Sequence, residues 1–376
     1  MFIYLKDIIM NEITLITAFF NLSSIDGSVS KSFNKYFELA DYIFKLNCNI
    51  IFYVEPENYM KIWNGRKKYN MLNKTLIITK TLKELKYFDK YDDANEFNKK
   101  NPLMMQDKNK HTTSYLLFMY NKVELVDEAI KLNPFNNKTF GWIDFGIDYI
   151  TKGFDLSKIL EYPSVKVKIC EVVHIPKSQI VSKQLNKIAT NYVARTVGGF
   201  WMGNVIMMNI FINEFRKWAD ILWQNELLTY DENIYEYILQ LNPEITEKYY
   251  GRYWYFFENW TMIMHYDEWF LRNMSSCRLN NEHTQVIDMF KKLKVYKWNE
   301  LNNLDKFDVY LEAMVSSFYV DFELYVKYCE EFIYFVESNK VDIQLLENVI
   351  NKKDMIRQNL NFAKKDLDVK LLNILN

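Results

Sequence analysis

Asp144 closes a short apolar run, Phe140-Gly141-Trp142-Ile143-Asp144-Phe145-Gly146, and its placement points most directly to chemistry. The run predicts a buried strand that delivers one carboxylate to a glycine-loosened turn. An acid at the carboxyl end of an α/β strand is where a metal-bound diphosphate is held, because Mg²⁺ and Mn²⁺ take hard oxygen ligands and share them with phosphate. Such a metal neutralises a leaving diphosphate in place of a proton donor. The plain alternative is an Asp that ends a strand and caps the next turn.

The second signal is Gly198-Gly199-Phe200-Trp201-Met202-Gly203-Asn204. Of nine glycines in the chain, three fall in these seven positions, which predicts a turn whose backbone can approach a ligand closely. Trp201 and Asn204 then offer a ring and an amide, a pairing that suits a sugar. The alternative is a tight turn before a helix. Arg195, just upstream, is a candidate phosphate partner. Lys122, read as opening the helix before the Asp144 strand, offers a point charge to phosphate, against the default of a solvated lysine. Thr17, Ala18, Phe19 and Phe20 end the first strand, where a base lies in an open α/β sheet; Phe there is otherwise core. Asp231-Glu232 offers a base for an acceptor hydroxyl, or else an N-cap followed by a first-turn acid. The histidines 111, 174, 265 and 283 have no ligand spacing, and no P-loop, GxGxxG, GxSxG or HExxH is present.

These residues need elements to position them. Ile13 to Phe20 reads as a strand and Phe33, Phe37, Ala40 and Phe44 as a helix face. Asn49 to Val54, Leu76 to Ile78 and Val165 to Val173 read as further strands, with a polar loop over Lys99 to His111 and an amphipathic helix over Asn121 to Leu132. Strands separated by helices predict an α/β fold with a mostly parallel mixed sheet. After Asn204 the pattern turns helical: Glu214 to Leu228, Glu232 to Leu241, then faces at Phe307/Leu311/Met314/Phe318, Tyr325/Cys329/Phe332/Val336 and Ile343/Leu346/Ile350. The expected division is 1–275 for the α/β domain and 276–376 for an α-helical C-terminal extension, through which a homo-oligomer could form.

Composition bounds the function. Net charge is −1 and no basic block occurs, so nucleic-acid binding is not expected. The four cysteines are far apart and predict reduced, structural thiols in a cytosol-like compartment. The start does not read as a signal peptide, and Val205 to Ile212 is far shorter than the roughly 20 residues of a spanning helix. A soluble, cytoplasmic protein is the expectation.

Four runs in order, TLITAFFNL, NPFNNKTFGWIDFG, RTVGGFWMGN and YDENIYEYILQLNP, resemble the HtrL/YibB-type bacterial and viral proteins. That family is similar to a branch of the GT-A nucleotide-diphospho-sugar transferases. The resemblance covers roughly residues 12–260. It implies a GT-A-like sheet, a cytoplasmic setting in a bacterium or a virus-infected host, Mn²⁺ or Mg²⁺, and sugar transfer from a nucleoside diphosphate to a glycan, lipid or protein acceptor. By it, Asp144 matches the first acid of the metal-binding DxD motif, and Gly146 stands where the second acid belongs. Lys122 matches a helix lysine beside donor phosphates. Gly198, Gly199 and Trp201 match the donor/acceptor turn, and Asp231-Glu232 an acidic pair near the transferred sugar. Two departures stand out. Asp148 would have to compensate for Gly146, and the loop NLSSIDGSVSKS lacks the arginine expected to contact donor. The rival reading is therefore a catalytically inactive sugar- or protein-binding module on the same fold. A nucleotidyltransferase ranks behind both, for want of a glycine-rich basic phosphate loop.

Overall fold

The structure, a computed structural model, describes residues 13–27, 31–102, 111–151, 153–172, 196–251, 253, 256–260, 268–279, 281–296 and 298–339. Two compact units divide at Thr261/Met262.

The first unit is built on a mixed seven-stranded sheet. Its strands are β1 (Ile13–Phe19), β2 (Asn49–Val54), β3 (Thr75–Thr79), β4 (Thr139–Ile143), β5 (Val167–Glu171), β6 (Thr196–Asn204) and β7 (Thr246–Tyr250). The spatial order is β3-β2-β1-β4-β6-β5-β7. β1, β2, β3 and β4 run parallel, β6 lies antiparallel between β4 and β5, and β7 is parallel to β5. Within the parallel half, the chain steps outward from β1 to β3 and then returns to the other side of β1 as β4. The strand order therefore reverses between β1 and β4.

The flanking helices are α1 (Phe33–Phe44), α2 (Tyr59–Lys68), α3 (Tyr91–Lys100), α4 (Thr113–Leu132), α5 (Val205–Gln224) and α6 (Asp231–Leu241). Their ends carry local signals. Ser32 accepts from the Lys35 N–H to cap α1, Thr112 from the Tyr115 N–H to cap α4, and Asn204 from the Ile206 N–H to cap α5. Asn133 ends α4 in the left-handed region at φ 35°. Residues of α4, α5 and α6 pack with Ile16, Ala18, Ile51, Trp142 and Trp201 on one face of the sheet. On the other face, α1 residues and Phe256, Phe257 and Trp260 pack with Leu15, Ile50, Phe52, Ile143 and Phe200. With both faces covered, β1 and β2 are buried along their whole length. This is the expected mixed α/β sheet flanked by helices.

Three local expectations are corrected. Gly198 to Asn204 is no turn: it is the body of β6, and its glycines are required by close approach. A Cβ on Gly203 would stand 2.9 Å from the Lys166 carbonyl oxygen, and one on Gly198 would stand 2.9 Å from Glu232 Cγ. Glycine in a strand marks such approaches as well as bends. Second, the chain after Asn204 is not wholly helical, because β7 joins the edge of the sheet beside β5. Third, the helix before β4 begins at Thr113, so Lys122 sits in its middle rather than at its start.

The second unit contains α7 (Glu268–Leu279), α8 (His283–Tyr296), α9 (Asn303–Val320) and α10 (Phe322–Asn339). Of the face read from Phe307, Leu311, Met314 and Phe318, the first three are buried and Phe318 is half-buried; Tyr325, Cys329, Phe332 and Val336 of the next face are all buried. Glu312, also buried, accepts from Ser275 Oγ at 2.8 Å and Arg278 Nε at 2.5 Å. The face read at Ile343, Leu346 and Ile350 lies outside the described residues. Among the described residues no helix is long and apolar enough to cross a membrane. All four cysteines are buried, and none forms a disulfide.

Candidate functional site

The carboxyl ends of β1 and β4 meet at the reversal of strand order, and a cavity of about 310 Å³ opens there. In open α/β sheets this crevice is the habitual ligand position, since the strands leave and diverge to opposite faces. Ala18, Phe19 and Phe20 line it from β1, and Trp142, Asp144, Phe145 and Gly146 from the end of β4. Tyr115, Phe118 and Met119 enter from the first turns of α4, and Lys31, Tyr36, Tyr149 and Tyr253 complete much of the wall. The chamber is thus largely aromatic.

Because β6 runs antiparallel to β4, its first residues arrive at the same edge as Asp144. The Asp144 N–H donates to the Gly199 carbonyl at 2.8 Å. A Cβ on Gly199 would lie 3.2 Å from Asp144 Oδ2, so the glycine leaves that oxygen room. Behind Asp144 is a smaller recess of about 40 Å³, lined by Lys122, Gly199, Tyr230, Asp231 and Glu232 among others. Asp144, Tyr115, Met119, Ile150 and Tyr253 line both spaces.

The recess is organised by one ammonium. Lys122 Nζ lies 3.1 Å from Asp144 Oδ1, 3.1 Å from Asp231 Oδ2 and 3.2 Å from the Gly198 carbonyl oxygen. An ammonium has three hydrogens, and three oxygens surround it. The Trp142 ring adds a cation–π contact at 5.6 Å. Burial alone would favour neutral Lys122, but the Asp144 and Asp231 carboxylates prevail and push its pKa above the usual lysine value. Lys122 is therefore a permanent cation.

The two carboxylates beside it differ. The Asp144 side chain is 41% exposed, that of Asp231 1%. Asp144 Oδ1 also accepts from Trp142 Nε1 at 2.6 Å, while its Oδ2 has no protein hydrogen bond among the described residues. Burial raises the Asp231 pKa, opposed by Lys122 and reinforced by Asp144. Asp231 is the first residue of α6 and Tyr230 the N-cap, without a side-chain cap bond; the capping role expected for Asp231 is replaced by the ion pair. Glu232 Oε1 accepts from the Gly198 N–H at 3.0 Å, and its carbonyl accepts from Thr196 Oγ1 at 2.9 Å. Burial, then the Asp144 and Glu232 charges, push the Tyr115 hydroxyl well above its ordinary pKa, which keeps it a neutral donor.

The structure places Lys122, Asp144, Gly198, Gly199, Asp231 and Glu232 beside one another. Ala18, Phe19, Phe20 and Gly146 join them along the chamber. Thr17 is buried in β1 and does not line the chamber. Trp201 is fully buried against Phe211 and Tyr235, in the core rather than at a sugar. Asn204 pairs with Thr139 at the far end of β4, five residues or roughly 16 Å of strand from Gly199. Arg195 lies outside the described residues, as do His174 and His265. The rings of Tyr36, Tyr115, Phe118 and Tyr149 were missed; the spacing of Tyr115, Phe118 and Lys122 on one helix was the available signal.

Gly146 has a spatial reason. A Cβ there would stand 3.1 Å from the Tyr36 ring, so a second acid would have to displace a chamber wall. Asp148 does not substitute for it: its carboxylate accepts from Thr151 Oγ1 at 2.8 Å within its own turn. Among the described residues no three His, Cys, Asp or Glu side chains converge as a metal-ligand set.

Residues 11–261 match the family described as "Bacterial protein of unknown function (HtrL_YibB)". The chain belongs to the HtrL_YibB family. The match spans the sheet, the chamber and the recess of this HtrL_YibB protein, and stops where its helical unit begins. No curated protein matches it. Among solved structures, the apo crystal structure of mouse xyloside xylosyltransferase 1 is similar at 12% identity and a TM-score of 0.36, covering 63% of this chain and 84% of that one.

Proposed function

We propose that this protein is a GT-A-like glycosyltransferase of the hexosyltransferase class. It would move a sugar from a nucleoside diphosphate to a hydroxyl of a glycan, lipid or protein acceptor. The observation that carries the reading is the aromatic chamber at the reversal between β1 and β4, with half-exposed Asp144 leading from it into a charged recess. A flat base needs ring faces, which the chamber supplies. A reacting sugar needs a few placed polar groups, which the recess supplies.

A divalent cation would have one half-exposed protein carboxylate, that of Asp144, to bind. Asp144 and Asp231 each lie 3.1 Å from the Lys122 ammonium, and of the two only Asp144 is open to solvent, at 41% exposed against 1%. Asp144 would hold Mn²⁺ or Mg²⁺ together with donor phosphate oxygens, and the bound ion would offset charge on the departing diphosphate. The chain's own residues do the rest. Lys122 fixes Asp144 and Asp231 relative to the Gly198 carbonyl. Glu232, anchored through Oε1 on the Gly198 N–H, is the base or sugar-orienting group, and Asp231 acts through Lys122. Tyr115 remains protonated and donates to a ligand hydroxyl or oxyanion.

A thermal-shift panel of nucleotide-sugars with Mn²⁺ tests this. A ligand at a hundred times its dissociation constant stabilises the fold by about 2.7 kcal/mol. One donor class should raise the melting temperature and its free base should not. A flat response across the panel contradicts the proposal. The inactive-module reading is favoured by Gly146 in place of a second acid and by the lack of a converging metal-ligand set among the described residues. It predicts that a binding nucleotide-sugar is never turned over and that Asp144→Ala binds it as well as wild type does.

A further inference from the structure

Strand alternation puts Trp142 and Asp144, two residues apart, on one face of the sheet. Phe140 and Trp142 pack with α4 residues on that face, whereas Ile143 and Phe145 pack on the other. The alternation continues past the end of β4, because the Asp144 N–H still donates to the Gly199 carbonyl. The Trp142 indole N–H therefore meets the carboxylate and donates to Asp144 Oδ1 at 2.6 Å. Lys122 Nζ, reaching in from α4, lies 3.1 Å from the same oxygen. Both donors belong to fully buried side chains, while Asp144 lines the chamber. Trp142 is held further by its register partners, Ile16 on β1 and Trp201 on β6. Two groups fixed by the core thus grip one oxygen of a half-exposed carboxylate. Gly199, where a Cβ would stand 3.2 Å from Oδ2, leaves room at the other.

We infer that Trp142 is a positioning residue: its N–H, together with the Lys122 ammonium, fixes Asp144 by Oδ1 and so commits Oδ2 to the ligand. The inference rests on the reading of the chamber as a nucleotide-sugar site. Lys122 and Trp142 divide the work. The ammonium offsets the negative charge of Asp144 and Asp231, whereas the indole is neutral and leaves that charge as it is. What the indole adds is direction, since a rigid ring in a packed core cannot follow a carboxylate that turns away. Asp144 would then act through a single oxygen, as a one-point ligand for a cation beside the diphosphate. Partners that orient a ligating side chain in this way are commonly worth tenfold to a hundredfold in affinity.

The test is a double-mutant cycle read by calorimetric titration of the full chain in Mn²⁺ with UDP, GDP, ADP and CDP, each beside its own nucleoside. Wild type, Trp142→Phe, Asp144→Ala and the double variant are compared, with melting temperatures as the fold control. Trp142→Phe keeps a ring and removes the N–H. It should weaken the preferred diphosphate about tenfold to a hundredfold and leave the nucleoside nearly unchanged. Asp144→Ala should weaken the diphosphate at least as much, and adding Trp142→Phe to it should cost nothing more. Losses that multiply in the double variant show Trp142 acting on the ligand without Asp144, and overturn the inference. So does a Trp142→Phe protein that binds the diphosphate as wild type does, or one that loses the nucleoside in step with it. Asp144→Ala with wild-type affinity leaves Trp142 nothing to act through and overturns it too. In each of these cases the nucleotide site stands. Failure of wild type to bind any of the four diphosphates overturns that reading along with the inference. Should Trp142→Phe not fold, replacement of the indole at 142 by its benzothiophene isostere, which removes only the N–H donor, decides the matter by the same cycle.

Discussion

Arg66 and Lys122 are both cations withdrawn from water, one carried by α2 and the other by α4, and they are satisfied in opposite ways. Arg66 donates to the backbone carbonyls of Ile43, Phe44, Leu46, Cys48 and Lys74 and to Thr75 Oγ1. Among the described residues no carboxylate pairs with it, and burial draws its pKa down to about 10. Lys122 meets two carboxylates and one carbonyl, and its pKa is driven up. A guanidinium in a cage of neutral carbonyls ties a turn together and leaves no charge over for a ligand. An ammonium outnumbered by acids leaves an excess of negative charge beside an open chamber. Arg216 makes a third case: it bridges Glu124 and Asp127 at 2.5 and 2.6 Å but is 26% exposed, so solvent screens it.

This ranking can be broken by experiment. Arg66→Met strands several buried carbonyls, each costing about 1–3 kcal/mol. A loss of about 5 kcal/mol or more in urea unfolding is expected, with nucleotide affinity unchanged in whatever folds. Lys122→Met leaves Asp231 buried and uncompensated, at a cost of about 3–5 kcal/mol. Adding Asp231→Leu should recover much of that stability but no activity. If Lys122→Met is as stable as wild type, the ammonium does not hold the recess together.

The smallest effect belongs to Arg216→Met, below about 1 kcal/mol at neutral pH, and its pH dependence is the sharper readout. Burial would raise the Glu124 and Asp127 pKa values, but hydrogen bonds from Arg216, with Lys86 and Lys131, lower both. For a lowered carboxyl pKa the stabilisation is present above the unfolded values, about 4.3 and 3.9. It is lost as pH falls through the folded values. The gap in urea midpoint between wild type and Arg216→Met should therefore narrow between about pH 6 and about pH 3. A constant gap argues against the bridge.

The same contrast explains what the sequence made legible. Asp144 was found because a strand read from Phe140, Trp142 and Ile143 leaves only one place for the next residue, its carboxyl end. The glycines of β6 misled because glycine marks both turns and close approaches. Only the coordinates show Gly198 pressed against Glu232 and Gly203 against Val167. Trp201 was misplaced for a related reason: in a sheet covered on both faces, either side of a strand is core. Lys122 was put at the wrong end of its helix because Thr113 to Tyr120 is buried on most sides, which erases the amphipathic period that announces a helix. The pairing of Lys122 with Asp231, 109 positions away, carries no local signal at all.

The central claim is that Asp144 is the chemically competent carboxylate of a nucleotide-sugar site, and donor turnover tests it most directly. Release of sugar from a panel of nucleotide-sugars with Mn²⁺ should be measured for wild type and Asp144→Ala at matched folding. Asp144 pairs with buried Lys122 and accepts from Trp142 Nε1, so the substitution costs some stability and the rates are compared at temperatures where both proteins are folded. It should slow release from the preferred donor by about a hundredfold or more, as removal of a group that stabilises developing charge does. Equal rates in the two proteins, or no release by wild type from any donor, would contradict the account.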